Sequence, residues 1–170
     1  QNHDQVANNA RSERFHRLTD PGRYRALTAL FLLLPETPML FQGQEFAAST
    51  PFFYFGDQEP EIAELMYRGR QDFLSQFPSL ATGSMKSRVP RPDDPETFSR
   101  LKLDLSERER HAEAYLSHRD LLRIRRDDPT FRVRRRGRLE GAVLGPGAFV
   151  LRYPGEGDDD RLLLVNLGPA

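Results

Sequence analysis

The sequence predicts an α/β chain that gives way, near residue 128, to a small antiparallel β segment. Two patterns predict it. Residues 22–41 read as helix, turn, short unbroken apolar run and polar loop, which is the αβ half of a βαβ unit. Beyond residue 130 short apolar stretches alternate with glycine-rich turns, as in hairpins. A third observation is negative. The longest apolar run, around residues 29–34, is far short of the roughly 20 residues that span a bilayer, so no membrane partner is expected.

The first helix covers residues 22–34 (GRYRALTALFLLL). Asp20 and Pro21 supply its N-cap and a proline at the first position. Tyr24, Leu27, Phe31 and Leu34 mark one face, and Pro35 stops it. The run Thr37 to Phe41 then suits a parallel strand buried on both faces, with Gln42, Gly43, Gln44 and Glu45 in the loop after it. Pro60 to Phe77 forms a second helix, with Ile62, Leu65, Met66, Phe73 and Phe77 on one side. Pro78 to Pro95 is an irregular loop, rich in proline, serine and charge. Ser106 and Glu109 make a capping box for a helix that runs to about Arg126, and Asp128 with Pro129 ends it. Strands follow at Phe131–Val133, Leu139–Leu144, Phe149–Tyr153 and Leu162–Leu167, with turns at Gly145–Gly147 and Gly155–Asp160. The division is therefore 1–128 and 129–170.

Composition narrows the function. Lys plus Arg and Asp plus Glu are both 25, so nothing attracts the chain over long range to nucleic acid. Arg132, Arg134, Arg135, Arg136 and Arg138 form a local basic patch, which strand alternation turns partly to solvent and Asp158 to Asp160 can offset. No nucleic-acid partner is expected. The absence of cysteine excludes disulfides and thiolate metal sites within this chain and fits a cytoplasmic setting. The four histidines, His3, His16, His111 and His118, lack metal-ligand spacing, and the last two read as surface or boundary residues. The start at Gln1, directly on a polar string, predicts the C-terminal piece of a longer protein.

That string, Gln1-Asn2-His3-Asp4-Gln5, is the strongest chemical signal. In a parallel α/β barrel, catalytic side chains stand where strands end and loops begin. A carboxylate beside an imidazole, flanked by amides, suits sugar hydroxyls and an oxocarbenium-like transition state. Taken alone, the same residues also make an ordinary solvated turn. The aromatic run Phe52-Phe53-Tyr54-Phe55 admits two readings as well, packing or stacking against sugar rings, and packing is favoured.

QNHDQ, the helix, TPMLFQGQEF and STPFFYFGD together resemble glycoside hydrolase family 13, the alpha-amylase family. In that family an N-H-D string closes the seventh barrel strand and P-x-L-F-x-G-x-E forms the eighth. RGRQDF, VPRPDDPETF (89–98) and SRLKLDLSERER (99–110) resemble one group within it, the malto-oligosyltrehalose trehalohydrolases. Ala7, Gln58, Arg100 and Leu105 depart from the group's pattern, which has glycine, histidine, no insertion and tryptophan there. The resemblance implies the C-terminal part of a (β/α)8 TIM barrel followed by a small β domain. It implies a retaining enzyme that cleaves the α-1,4 bond beside the trehalose unit of maltooligosyltrehalose, with no metal or organic cofactor. Asp4 would be the transition-state stabiliser and His3 would bind sugar hydroxyls. Asn2 and Gln5 would position these two or contact a neighbouring sugar, and Glu45 with Gln44 would support the site. The nucleophile and the acid/base would come from strands four and five, absent here, so the 170-residue chain alone would hydrolyse nothing and be poorly stable. The rival readings are a glucan branching or debranching enzyme and a non-catalytic carbohydrate-binding module.

Overall fold

The computed structural model describes residues 1–9, 11–78, 89–132 and 139–168. Among these, the helices in chain order are α1 (His3–Ala7), α2 (Phe15–Leu18), α3 (Pro21–Leu33), α4 (Pro60–Leu74), α5 (Pro95–Arg100), α6 (Glu107–Arg110), α7 (Ala112–Asp127) and α8 (Pro129–Arg132). A 3-10 turn occupies Gln44–Phe46, and the strands are β1 (Glu140–Gly145), β2 (Ala148–Tyr153) and β3 (Arg161–Asn166). The chain packs as two units, Gln1–Leu18 with Leu40–Glu107, and Thr19–Met39 with Arg108–Ala170. The boundary expected near Asp128 falls inside the second of these.

In the first unit α4 holds the loops in place. It begins, as expected, at Pro60, but the expected apolar face is not the buried one. Ile62, Leu65, Met66 and Phe73 are 49%, 69%, 46% and 46% exposed, while Ala63 and Leu74 are buried. Stacking and charge decide the orientation. Tyr67 and Arg70 share the inward side with Ala63 and Leu74, and the Arg91 guanidinium lies 4.6 Å from the Tyr67 ring. Arg91 also reaches Glu64 on α4 at 3.0 Å and grips Asp93 through both ends of its fork. These contacts order residues 89–94, the described end of the expected loop, and α5 follows. Its opening repeats the signal seen at Asp20-Pro21. Asp94 accepts from the Glu96 amide at 2.8 Å, and Pro95 takes the first position.

No strand forms at Thr37–Phe41. A β run exists only through the ladder of a neighbour, and among the described residues this run joins no sheet; Met39 is 66% exposed. The capping box at Ser106 does not form either. Its hydroxyl donates to Asp104, 2.6 Å away, so α6 starts at Glu107 and is separated from α7 by a turn at His111.

In the second unit α3 packs on α7 and β3. Asp20 caps it as expected, accepting from the Arg23 amide at 2.9 Å. Tyr24, Thr28 and Leu32, four residues apart, form the buried stripe. At the other end Arg125 of α7 collects the orphan carbonyls of Leu32, Leu34 and Glu36, where the negative end of the helix dipole favours a cation. His118 is not the surface residue expected. It is 2% exposed, Nδ1 donates to the Ala114 carbonyl at 2.9 Å, and its ring lies 6.4 Å from Tyr24.

The sheet is an antiparallel meander in the order β1-β2-β3, close to the expected strands. Phe131 belongs to α8 rather than to a strand; Asp128 accepts from the Thr130 amide and so opens a helical turn at Pro129. Val133 and Arg134 to Arg138 lie outside the described residues. Asp159 and Asp160, expected to offset that basic patch, pair with Arg161 and Arg152 of the sheet. Arg152 also meets Glu140 directly across β1 and β2 at 2.8 Å. Tyr153 and Val165 turn to the buried face, whereas Leu162 and Leu164 stand on the opposite one, 61% and 68% exposed.

Asp160 links this sheet to pH. The Gly155 amide, then the Arg152 guanidinium, hold its carboxyl below the ordinary aspartate value. A carboxyl depressed on folding adds stability above the unfolded value, about 3.9, and loses it as pH falls through the folded one. Thermal unfolding at stepped pH checks this: Asp160→Asn lowers the melting temperature at pH 6 to 7, and the gap from the parent closes below about pH 4.

Candidate active site

The QNHDQ string folds into the first turn of α1. Asn2 is its N-cap. The Asn2 side-chain oxygen accepts from the amides of Asp4 and Gln5 at 2.9 and 3.4 Å, and Gln5 Oε1 accepts from the Asn2 amide at 2.6 Å. Both side-chain oxygens are thus engaged in a capping box, which fixes the backbone from which residues 3 and 4 project. Gln1 is engaged too, accepting from the Phe15 amide at 2.7 Å.

His3 and Asp4 face outward beside this cap. His3 and Asp4 are 52% and 54% exposed, with Nε2 3.5 Å from Asp4 Oδ1. They meet the aromatic segment after residue 50. The His3 ring lies edge-on to Phe52 and Tyr54, with centroids 6.4 and 6.1 Å apart, and the Tyr54 hydroxyl donates to Asp4 Oδ1. Phe52 in turn packs edge-on to Phe41 at 5.2 Å.

Residues 51–59 lie outside regular helix and strand. The four aromatics divide by partner. Phe52 and Tyr54 face α1, while Phe53 meets Arg100 at 5.8 Å and Phe55 meets Phe98 at 5.1 Å. The expected packing role describes three of them. The Tyr54 contact with Asp4 was missed, and its signal was the single hydroxyl in an otherwise all-Phe run.

Arg70 was missed as well. It projects from α4 with its guanidinium 4.6 Å from the Tyr54 ring, and Nη2 donates to the Ala7 carbonyl at 3.0 Å. Burial pushes the Tyr54 hydroxyl above the usual tyrosine range, and the bond to Asp4 and its charge push it further. Burial pulls Arg70 down from the ordinary arginine value, against the charges of Tyr54 and Asp4.

Glu45 sits in the 3-10 turn, half-buried, and no hydrogen bond or ion pair joins it to His3 or Asp4. Gly43 makes that turn possible. Its φ is +79°, and a Cβ there would lie 2.7 Å from Ala48 Cβ and 3.0 Å from Leu103 Cδ2. The Ser49 amide is anchored at 2.9 Å by the buried carboxylate of Glu107. Gly43→Ala combines a left-handed backbone with two clashes, so it destabilises the protein by about 2 kcal/mol in denaturant titration.

No protein-family model matches the chain. It is 41% identical over 170 residues to a malto-oligosyltrehalose trehalohydrolase of Deinococcus radiodurans, a match spanning 99% of this chain and 27% of that protein. The chain is homologous to the malto-oligosyltrehalose trehalohydrolases. The enzyme of that name from Arthrobacter ramosus is 42% identical over 132 residues, and that from Mycobacterium tuberculosis 36% over 129, covering 22% and 21% of those proteins. A crystal structure assigned to an alpha amylase of Salmonella typhimurium superposes with a TM-score of 0.78 at 31% identity, over 99% of this chain and 28% of that one. The chain therefore spans about a quarter of the length of the trehalohydrolases it matches, and its fold is alpha-amylase-like. Among the described residues, no helix is long and apolar enough to cross a membrane.

Proposed function

We propose that this chain is the C-terminal part of a retaining glycosidase that hydrolyses the α-1,4 bond next to the trehalose unit of maltooligosyltrehalose. In this reading residues 1–128 complete a (β/α)8 barrel and residues 129–170 open a small β domain. The observation that carries it is the pairing of Asp4 with His3 on a capped turn, in a chain related over nearly its whole length to trehalohydrolases.

Asp4 is the stabiliser. Its charge faces the positive charge that develops at the anomeric carbon, a task that needs a carboxylate held in place rather than one that moves a proton. His3, wedged edge-on against Phe52 and Tyr54, presents Nε2 to sugar hydroxyls. Asn2 and Gln5 set the turn that aims both groups. Glu45 supports the loop on which the sugar rests. The nucleophile and the acid/base, which in retaining enzymes stand about 5 to 5.5 Å apart, belong to chain outside these residues.

The test is Asp4→Asn in the complete protein, an isosteric change that removes only charge. Release of trehalose from maltooligosyltrehalose falls at least roughly 1000-fold, about 4 kcal/mol of transition-state stabilisation. His3→Ala raises KM more than it lowers kcat. Parental turnover in Asp4→Asn, or new α-1,6 branches in place of trehalose from the parent protein, refutes the reading.

A further inference from the structure

We infer that Tyr54 is a positioning residue for Asp4, held in turn by Arg70, so that α4 reaches the carboxylate through one hydroxyl. The inference rests on the reading of Asp4 as transition-state stabiliser. It adds two residues and a direction of control that the motif itself does not contain.

Asp4 is about half exposed, and nothing in α1 restrains its carboxyl group. Asn2 and Gln5 hold the backbone of the turn, and His3 approaches only one oxygen, at 3.5 Å. A free carboxylate on a half-exposed turn samples several rotamers, and a stabilising charge has value only where the positive charge forms. The Tyr54 hydroxyl donates to Oδ1 and selects one of those rotamers. Oδ2 is left to face the reacting sugar.

Tyr54 could not hold that position unaided, because its segment belongs to no helix and makes no sheet ladder. Its ring is fixed from two sides. Phe52 and His3 lie edge-on at 6.1 Å each, and the Arg70 guanidinium stacks over the ring at 4.6 Å. Arg70 is itself pinned, because Nη2 donates to the Ala7 carbonyl at the end of α1. The circuit is closed: α1 carries Asp4, Asp4 binds Tyr54, Tyr54 stacks on Arg70, and Arg70 returns to α1. A bare stacking role for Tyr54 needs no hydroxyl, and a bare structural role for Arg70 needs no planar group above a ring.

The experiment uses the complete protein and maltooligosyltrehalose, with kcat and KM measured separately and melting recorded for every variant. Tyr54→Phe keeps the ring, the stack and the packing and removes only the donor. It lowers kcat roughly 10- to 100-fold, the range of a lost charge-assisted hydrogen bond, with KM changed less than about twofold and melting nearly unaltered. Arg70→Lys keeps the charge but loses the planar stack, and gives the same split at roughly 3- to 10-fold. In an Asp4→Asn background, Tyr54→Phe costs nothing further, since the charge it aims is gone.

Three results overturn the inference. If Tyr54→Phe leaves kcat unchanged while Asp4→Asn is inactive, the proposed function stands and the positioning role falls. If Tyr54→Phe raises KM at constant kcat, the hydroxyl binds sugar and does not aim Asp4. If Asp4→Asn retains parental turnover, the functional reading fails and the inference with it. Should Tyr54→Phe melt early, Arg70→Lys decides by the same split.

Discussion

The site depends on how a segment outside any helix or sheet is held still. Residues 50–55 make no ladder, so their backbone groups need other partners. Ser12 and Arg14 supply them. Ser12, 2% exposed and at a φ of 54°, shares its hydroxyl proton between the carbonyls of Val6 and Phe52 and accepts from the Phe52 amide at 3.2 Å. Arg14, 4% exposed, donates to the Thr50 carbonyl at 2.6 Å and the Gln42 carbonyl at 2.7 Å, with its guanidinium 5.3 Å from the Phe41 ring. A buried cation that is well hydrogen-bonded is costly to disturb, because removing any partner leaves charge without compensation. One short loop thereby fixes both the 3-10 turn that carries Glu45 and the start of the aromatic run.

Once Thr50 and Phe52 are fixed, the rest of the segment has no freedom of register. Residues 52 and 54 face α1, while residues 53 and 55 meet Arg100 and Phe98. A slip of one residue would face Asp4 with phenylalanine rings and place the tyrosine hydroxyl among Phe98 and Arg100. The loop closed by Asn9 sets where Ser12 stands. Its side chain accepts from the Arg11 and Glu13 amides and donates to the Glu13 carbonyl at 2.7 Å. A turn residue three positions from Val6, Ser12's other contact, therefore governs the surroundings of the carboxylate.

How much of this could be read in the sequence depended on whether the determinant was local. Asp20 with Pro21 declared a helix, and the glycine-punctuated runs after 139 declared three strands, because caps and turns act over a few residues. The same Asp-Pro signal stood at 94–95 and 128–129. It was passed over at the first and read only as a stop at the second, because a charge-rich loop and a helix end dominated the reading of those stretches. The strand at Thr37–Phe41 was inferred from apolarity alone, and a ladder partner is a property of distant chain. The face of α4 failed for a similar reason. Period 3.6 identified an apolar stripe, but Arg70 on Tyr54 and Arg91 on Tyr67 and Glu64 turned the opposite side inward. His118 reads as a surface or boundary residue, but its Nδ1 bonds to its own helix and its ring packs beside Tyr24, inside the unit.

The candidate site shows the same division within five residues. A string of amides, imidazole and carboxylate resembles a ligand set in which every member touches sugar. The fold gives the parts different work. The side-chain oxygens of Asn2 and Gln5 accept from backbone donors that a helix start would otherwise leave unpaired, so these two residues build the capping box that carries the turn. His3 and Asp4 meet the aromatic run that Ser12 and Arg14 hold in place. Had residue 2 or 5 been an alkyl side chain, the turn would lose its cap and the carboxylate its direction, although no atom in contact with a sugar had changed.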